Sequence, residues 1–308
     1  MTALRIVFAG SPAAAVPTLR ALAAGPHDLR TVITRPATAQ GRKRILTPTP
    51  VAAEAQRLGV PVRETTRLHD LQAELMREPV DLGVIVAFGS LVREPLLSWP
   101  QHGWINLHFS LLPKWRGAAP VQHSLMAGEE ETGATVFQLT PGLDDGEWFA
   151  QHRERVQGGT TAGLLLERLS GSGATLVAQV VDDIAVGRAR ARPQRGEVTL
   201  APKLTRDDGR LEWQQDAQAV LARWRGVTPE PGAWTTIDQS QVVKLLELAP
   251  ATNAPPLAAG AVTLDAGRVL VGARDTALEL VRVQPAGKQG MPAADWARGW
   301  GDEPPRFR

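Results

Sequence analysis

The densest chemical information lies in residues 105 to 120, INLHFSLLPKWRGAAP. Asn106 and His108 stand two apart, so on a strand both side chains project from one face, roughly 6.7 Å apart along the chain, while Leu107 points the other way. An amide beside an imidazole at the C-terminal edge of a parallel sheet can meet a developing oxyanion and move a proton. The same pair also suits polar residues that merely close a strand. Thirty-six positions after His108 comes Asp144, in TPGLDDGEW, where Gly142 and Gly146 frame a turn that can carry a carboxylate to the sheet edge. A carboxylate near an imidazole fixes its tautomer and raises its pKa, which yields an acid and base near neutrality. Ordinary turn chemistry is the alternative for Asp144 and Asp145. Asn106, His108 and Asp144 in combination carry more weight than any one of them.

Other chemistry is narrowed by what the chain contains. With no Cys among 308 residues, thiol nucleophiles, disulfides and zinc-thiolate sites are excluded. The glycine in FAGSPAAAVP, Gly10, marks a turn from strand to helix, but the spacing is not G-x-G-x-x-G and argues against NAD. A helix N-terminus there still attracts anionic groups. His27, His69, His102, His123 and His152 are scattered and read as structural or surface residues, and no metal site is expected. SLLP and WRGAAP together form a loop stiffened by two prolines, with the shape of a rigid ligand-contacting segment.

These residues need a frame. Apolar, β-branched runs at 5 to 10, 29 to 34, 81 to 89 and 103 to 109 predict strands, and the stretches 13 to 24, 50 to 58, 67 to 77 and 118 to 127 have helical spacing. Alternating β and α in this way argues for a largely parallel sheet covered on both faces. A further strand pair at 134 to 140 and 147 to 156 flanks PGLDDG. Thr160 or Thr161 then caps a long helix whose Leu164, Leu165, Leu169, Leu176, Val180 and Ile184 form one broad face. Beyond residue 206 the pattern changes to short runs at 232 to 237, 241 to 248, 260 to 264, 268 to 272 and 277 to 283 between Gly and Pro turns, which suggests a small barrel or sandwich.

The formal charge is only +2, from 34 Lys and Arg against 32 Asp and Glu, yet it is unevenly placed. Residues 35 to 50 hold Arg35, Arg42, Lys43 and Arg44 with no acid, and residues 187 to 206 hold six basic residues against Glu197. Such segments are either solvated loops or the footprint of a polyanionic partner. The length fits about two domains. No apolar run approaches ~18 residues and no leader pattern opens the chain, so the expectation is a cytoplasmic protein without membrane contact; a monomer without DNA contact is expected as well.

FAGSP, GRKRILTPTPV, the stretch from INLHF to GATVFQL, GLDDGE and PAGKQGMPAADW occur in an order that resembles the methionyl-tRNA formyltransferases, a family within the folate-dependent formyltransferases. The resemblance covers essentially the whole chain. It implies a Rossmann-like α/β domain over 1 to 186, a basic linker over 187 to 206 and an all-β, OB-like tRNA-binding barrel over 207 to 308. It also implies 10-formyltetrahydrofolate as formyl donor and initiator Met-tRNA as acceptor, in translation initiation. Carried over, Asn106, His108 and Asp144 match the catalytic positions, and Ser110, Leu111, Leu112 and Pro113 match the folate-contacting SLLP. The same resemblance assigns tRNA contacts to Arg42, Lys43, Arg44, Arg188 and Arg190, with Arg42 at the acceptor stem. Two positions depart from the family pattern: Phe109 stands where Gly or Ala is usual, and Glu147 replaces a common Asp. A glycinamide ribonucleotide formyltransferase has no need of residues 207 to 308, and nucleotide-sugar formyltransferases lack the basic insertion. A non-catalytic RNA-binding protein on a decayed formyltransferase core would have no reason to keep all three site residues.

Overall fold

The computed structural model describes residues 3–41, 44–237, 241–301 and 303–308. The chain divides into two compact units. The first comprises Met1–Pro120, Glu131–Arg155 and Leu166–Pro202, and the second Val121–Glu130, Val156–Leu165 and Lys203–Arg308. The first therefore includes most of the stretch 187 to 206.

Along the chain run β1 (Arg5–Gly10), α1 (Val16–Ala24), β2 (Asp28–Thr34), the short pair β3 (Thr38–Gln40) and β4 (Ile45–Thr47), α2 (Pro50–Leu58) and β5 (Val62–Glu64). There follow α3 (Gln72–Leu75), β6 (Leu82–Val86), β7 (Trp104–His108), β8 (Arg116–Gly117) and α4 (Pro120–Met126). Then come β9 (Glu131–Gln138), β10 (Trp148–Arg155), α5 (Ala162–Ala185) and β11 (Leu200–Ala201). The first unit is built on a seven-stranded sheet of order β10-β9-β7-β6-β1-β2-β5. The five strands from β7 to β5 pair in parallel, and β9 and β10 add an antiparallel edge. All five residues of β6 are buried, as a strand covered on both faces requires. The expected α/β arrangement is thus present, with a Rossmann-like, mostly parallel sheet.

Local chemistry explains the element ends. Thr49 caps α2 by accepting from the Ala52 N–H at 3.0 Å, and Pro50 occupies the first helical position, where its missing N–H costs nothing. The helix expected over 67 to 77 is reduced to a 3-10 turn at Leu68–Leu71 followed by the four-residue α3. On α5 the buried stripe runs through Leu165, Leu169, Val177, Val180 and Val181, while Leu164, expected on that face, is exposed. Gly173 lets this helix approach β7: a Cβ there would stand 2.7 Å from Leu107 Cδ2. Leu107 is thereby committed to the α5 side, which leaves Asn106 and His108 on the opposite face.

The second unit contains α6 (Ala217–Val227), β12 (Trp234–Ile237), β13 (Gln241–Pro250), β14 (Val262–Asp265), β15 (Arg268–Gly272), β16 (Ala277–Pro285), β17 (Met291–Pro292) and α7 (Ala293–Ala297). Its strands form an antiparallel sheet of order β12-β13-β16-β15-β14, with β17 on β16. This is a half-barrel, and the bridges Ile237 to Phe307 and Ala261 to Arg306 link its two edges through the C-terminal residues. Trp213 and Trp224 fill the interior and spend their indole N–H groups on Thr235 Oγ1 (2.9 Å) and the Leu245 carbonyl (3.0 Å).

Candidate active site

Asn106 and His108 end β7, where the antiparallel register sets them opposite Phe137 and Thr135 of β9. They share one wall of an open cavity of about 760 Å³ lined by residues of the first unit. Its other walls come from Ile85 of β6 and from residues 87 to 97 that follow it, from Gly117, Ala118 and Pro120, and from the turn 139 to 144. Ile85, Phe88, Val92, Leu97 and Phe109 give it an apolar lining, and Leu91 and Leu143 line it while remaining exposed. That size and character suit a drug-sized organic ligand.

His108 is buried and its two ring nitrogens have different partners. Nε2 lies 2.8 Å from the Trp115 carbonyl oxygen, which can only accept, so Nε2 carries the hydrogen. In the neutral ring Nδ1 is then unprotonated, and it faces Asp144 Oδ2 at 3.7 Å. Burial lowers the His108 pKa below the ordinary 6.5, and the Asp144 charge and the Trp115 hydrogen bond oppose that shift only in part. Asp144 does act to raise the histidine pKa, as its charge requires, but desolvation outweighs it and the net direction is downward. Next to it, Asn106 Oδ1 is buried with no hydrogen-bond partner. An unpartnered buried amide oxygen at a cavity wall marks Asn106 as a candidate binding group.

Asp144 reaches this place through an unusual backbone. Its φ is +48°, a left-handed conformation that costs a non-glycine residue of order 1–3 kcal/mol unless its surroundings fix it. Oδ2 accepts the Gly117 N–H at 2.8 Å, and the Asp144 carbonyl accepts from Gln194 Nε2 at 2.8 Å. Gly117 itself has φ +125°, and a Cβ there would stand 2.6 Å from the Ala201 carbonyl oxygen, so the position requires glycine. Trp115, whose carbonyl orients His108, also has a positive φ of +63°, and its N–H donates to Thr199 Oγ1 at 2.9 Å.

Ser110, Leu111, Leu112 and Pro113 do not line the cavity. Ser110 is fully buried and donates to the Lys114 carbonyl at 2.6 Å. Thr135 Oγ1 donates to the Ser110 carbonyl and accepts from the Leu112 N–H, and Gln151 donates to the Leu112 carbonyl. Glu147 is exposed. Arg42 and Lys43 lie outside the described residues, and Arg44 is exposed with φ +48° in the connection between β3 and β4. Arg188 pairs with Asp183 at 3.2 Å, and Arg190 donates to the carbonyls of Gly187 and Ala189, so both lie away from the Asn106 and His108 cluster.

Several participants carry no sequence signal. The Trp115 carbonyl is a backbone group, and Gln194 is separated from Asp144 by 50 positions. Arg35, read as one of a basic run, donates to the Phe88 and Gly89 carbonyls at 3.1 and 2.6 Å and so holds a cavity-lining segment. The only advance sign of the Gly117 requirement is a glycine between Arg116 and two alanines.

A mostly parallel sheet that presents an amide, an imidazole and a carboxylate at its C-terminal edge, beside an apolar cavity, defines a group-transfer enzyme fold. The chain belongs to the formyl transferase family: the family described as formyl transferase matches residues 4–181, and the formyl transferase C-terminal domain matches residues 203–301. Over 297 residues it is 55% identical to the methionyl-tRNA formyltransferase of Clavibacter sepedonicus, covering 96% of this chain and 97% of that one. Among solved structures it is similar to the N-formyltransferase from Helicobacter canadensis in complex with folinic acid and dTDP-3-aminofucose. The TM-score is 0.69 and the identity 14%, over 90% of this chain and 98% of that one. HypX from Aquifex aeolicus in complex with tetrahydrofolic acid gives a TM-score of 0.67 at 16% identity, over 100% of this chain and 51% of that one. At those identities the two structures share the fold.

Proposed function

We propose that this enzyme transfers the formyl group of 10-formyltetrahydrofolate to the α-amino group of methionine carried by initiator tRNA. The reaction chemistry is supported by the cluster at the cavity wall, an Asn106 side chain whose buried oxygen has no partner beside a buried histidine whose unprotonated nitrogen faces a carboxylate, and the formyl donor by membership of the formyl transferase family. The acceptor rests on the likeness to a methionyl-tRNA formyltransferase across both halves of the chain. The apolar cavity fits a folate, and the solved relatives bound to folinic or tetrahydrofolic acid share the fold that forms it. The bound folate supplies the formyl carbon.

The residues of the chain divide the remaining work. The amine of an aminoacyl ester is largely unprotonated near neutral pH and needs little activation as a nucleophile. Attack places negative charge on the formyl oxygen, and a donor N–H of Asn106 holds that charge, a contribution of about 3–4 kcal/mol for a well-placed group. His108 Nδ1 takes the proton that the attacking nitrogen must lose and returns it toward the departing amine. While it holds the proton the ring is an imidazolium, and Asp144 at 3.7 Å stabilises it without itself being protonated. Trp115 keeps the ring from turning. On this reading Ser110, Leu111, Leu112 and Pro113 support folate indirectly, as the buried shelf behind His108, and Phe109 touches the ligand. Arg42, Lys43, Arg44, Arg188 and Arg190 supply tRNA contacts, phosphate attraction giving most of the affinity. Translation initiation in the cytoplasm is the setting this chemistry serves, and the enzyme acts as a monomer.

Formyl transfer from 10-formyltetrahydrofolate to initiator Met-tRNA, with elongator Met-tRNA and a dTDP-amino sugar as competing acceptors, tests the reading. Turnover on initiator Met-tRNA far above both competitors is the expected result. Turnover only on the sugar would move the protein to the nucleotide-sugar enzymes, and tRNA binding without turnover would make it a binding protein.

A further inference from the structure

The sequence predicts a basic linker over 187 to 206, yet within it the strap 192 to 201 is hydrogen-bonded at both ends to the loops that carry the site. Arg192 forms a bridge with Trp148, the Arg116 N–H donates to the Thr199 carbonyl at 2.9 Å, and Leu200 and Ala201 pair in parallel with Arg116 and Gly117. Gln194 lies at the centre of this strap. Its Nε2 donates to the carbonyls of Asp144 and Gly146, both at 2.8 Å, and its Oε1 accepts from Arg116 Nη2 at 2.7 Å and Nε at 3.2 Å. A primary amide has two donor hydrogens and one acceptor oxygen, and all are used. No other uncharged side chain of this length supplies that combination.

We propose that Gln194 is a positioning residue that holds Asp144 in its left-handed conformation and so keeps the carboxylate opposite His108. The proposal rests on the catalytic reading of His108 and Asp144 given above. Two restraints fix Asp144: the Gly117 N–H holds the side chain and Gln194 holds the backbone. Without the second, the residue relaxes toward negative φ, and the Cβ swings away from the ring. A displacement near 1 Å at such a constellation lowers rate by about 100-fold. Arg116, paired through Gln194, ties the turn at 144 to 146 to the segment that also supplies the Trp115 carbonyl. Both restraints on the His108 ring thus pass through one strap.

The test is a double-mutant cycle. Gln194→Ala removes all four hydrogen bonds. Gln194→Glu keeps the volume and the Arg116 partner but loses both donors and sets a carboxylate against two carbonyl oxygens. Each variant is measured for kcat and folate KM, alone and combined with Asp144→Asn, with thermal melting to report folding. The expected result is a fall in kcat of about 10- to 100-fold in both single variants, with folate KM within twofold of the parent, and no further fall when either is added to Asp144→Asn. Multiplying losses in the double variants, or parent-like kcat in Gln194→Glu, would overturn the proposal. The outcomes separate the two readings: parent-like kcat in Asp144→Asn removes the catalytic reading, whereas a slow Asp144→Asn beside a fast Gln194→Glu removes only the positioning role.

Discussion

Replacing Asp144 by Asn changes the site by one charge and almost no volume. The amide oxygen can still accept the Gly117 N–H that now binds Oδ2, so the turn retains its anchor. Under the proposed mechanism, what is lost is the attraction between the carboxylate and the imidazolium that His108 becomes during proton transfer. At the observed 3.7 Å, and at an effective dielectric constant of about 20, two unit charges attract by about 4 kcal/mol. That attraction is absent while the ring is neutral, so it belongs to the step that charges the ring and appears almost wholly in kcat. At about 1.4 kcal/mol per tenfold, its loss slows the step by about 1,000-fold, inside the 100- to 10,000-fold span usual for acid–base groups. Single-turnover formylation of Met-tRNA at saturating folate reads this directly, because product release does not enter. Folate KM should stay within a few-fold of the parent. A loss under tenfold would mean that the ring never carries a full charge near Asp144, and the proton would have to travel by another route. A loss in KM without a loss in rate would make Asp144 a folate-binding group.

The remaining expectations concern titration, backbone and stability. An NMR titration of the imidazole should give His108 a pKa below 6.5, with the ring protonating only as pH falls through that lower value, and a lower pKa still in Asp144→Asn because the opposing charge is gone; an unshifted histidine would contradict the burial argument. Gly117→Ala, which must relieve both φ +125° and the 2.6 Å approach to Ala201, should destabilise by about 1–3 kcal/mol and lower kcat through the lost anchor on Asp144, and calorimetry with kinetics will show whether both occur. Glu54 is held by Arg20 and Arg57, which bring its pKa from 4.5 to about 2. Its contribution is therefore present above pH 4.5 and is lost as pH falls toward 2, so Glu54→Gln should lower the melting temperature at pH 7 and converge with the parent near pH 2.

The readable parts of this protein were those where periodicity or spacing leaves a mark. A two-residue step placed Asn106 and His108 on one face, and two glycines around an acidic pair announced the turn that carries Asp144. Where the signal failed, a physical reason exists. Leu164 is as apolar as its neighbours but sits one position off the stripe that α5 buries. The edges of the half-barrel are linked by Arg306 and Phe307, in a short charged tail with no strand alternation. A raised histidine pKa was inferred from the carboxylate alone, since depth of burial is a property of the folded site and not of neighbouring letters. The hydrogen-bond partners that orient His108 and Asp144 are backbone groups or a lone glutamine, and neither kind advertises itself in one sequence.

The basic segments show how a charge count and a charge role come apart. Arg35 belongs to the same basic run as Arg42, Lys43 and Arg44, yet its guanidinium, although exposed, donates to two carbonyls of a cavity-lining segment. Arg188 is paired with Asp183, and Arg192 lies over the Trp148 ring at 5.4 Å. A guanidinium already paired must give up that partner to meet a phosphate, so it adds less to the affinity and salt dependence of RNA binding than an uncommitted one. The stretch 187 to 206 therefore holds two kinds of residue that its composition merges: exposed arginines, and Gln194 with Thr199, which hydrogen-bond the loops of the candidate site. Under the positioning role inferred for Gln194, the exposed arginines and the glutamine that holds Asp144 lie on one stretch of twenty residues, 187 to 206. Acceptor binding on that strap would then be felt in kcat as well as in KM.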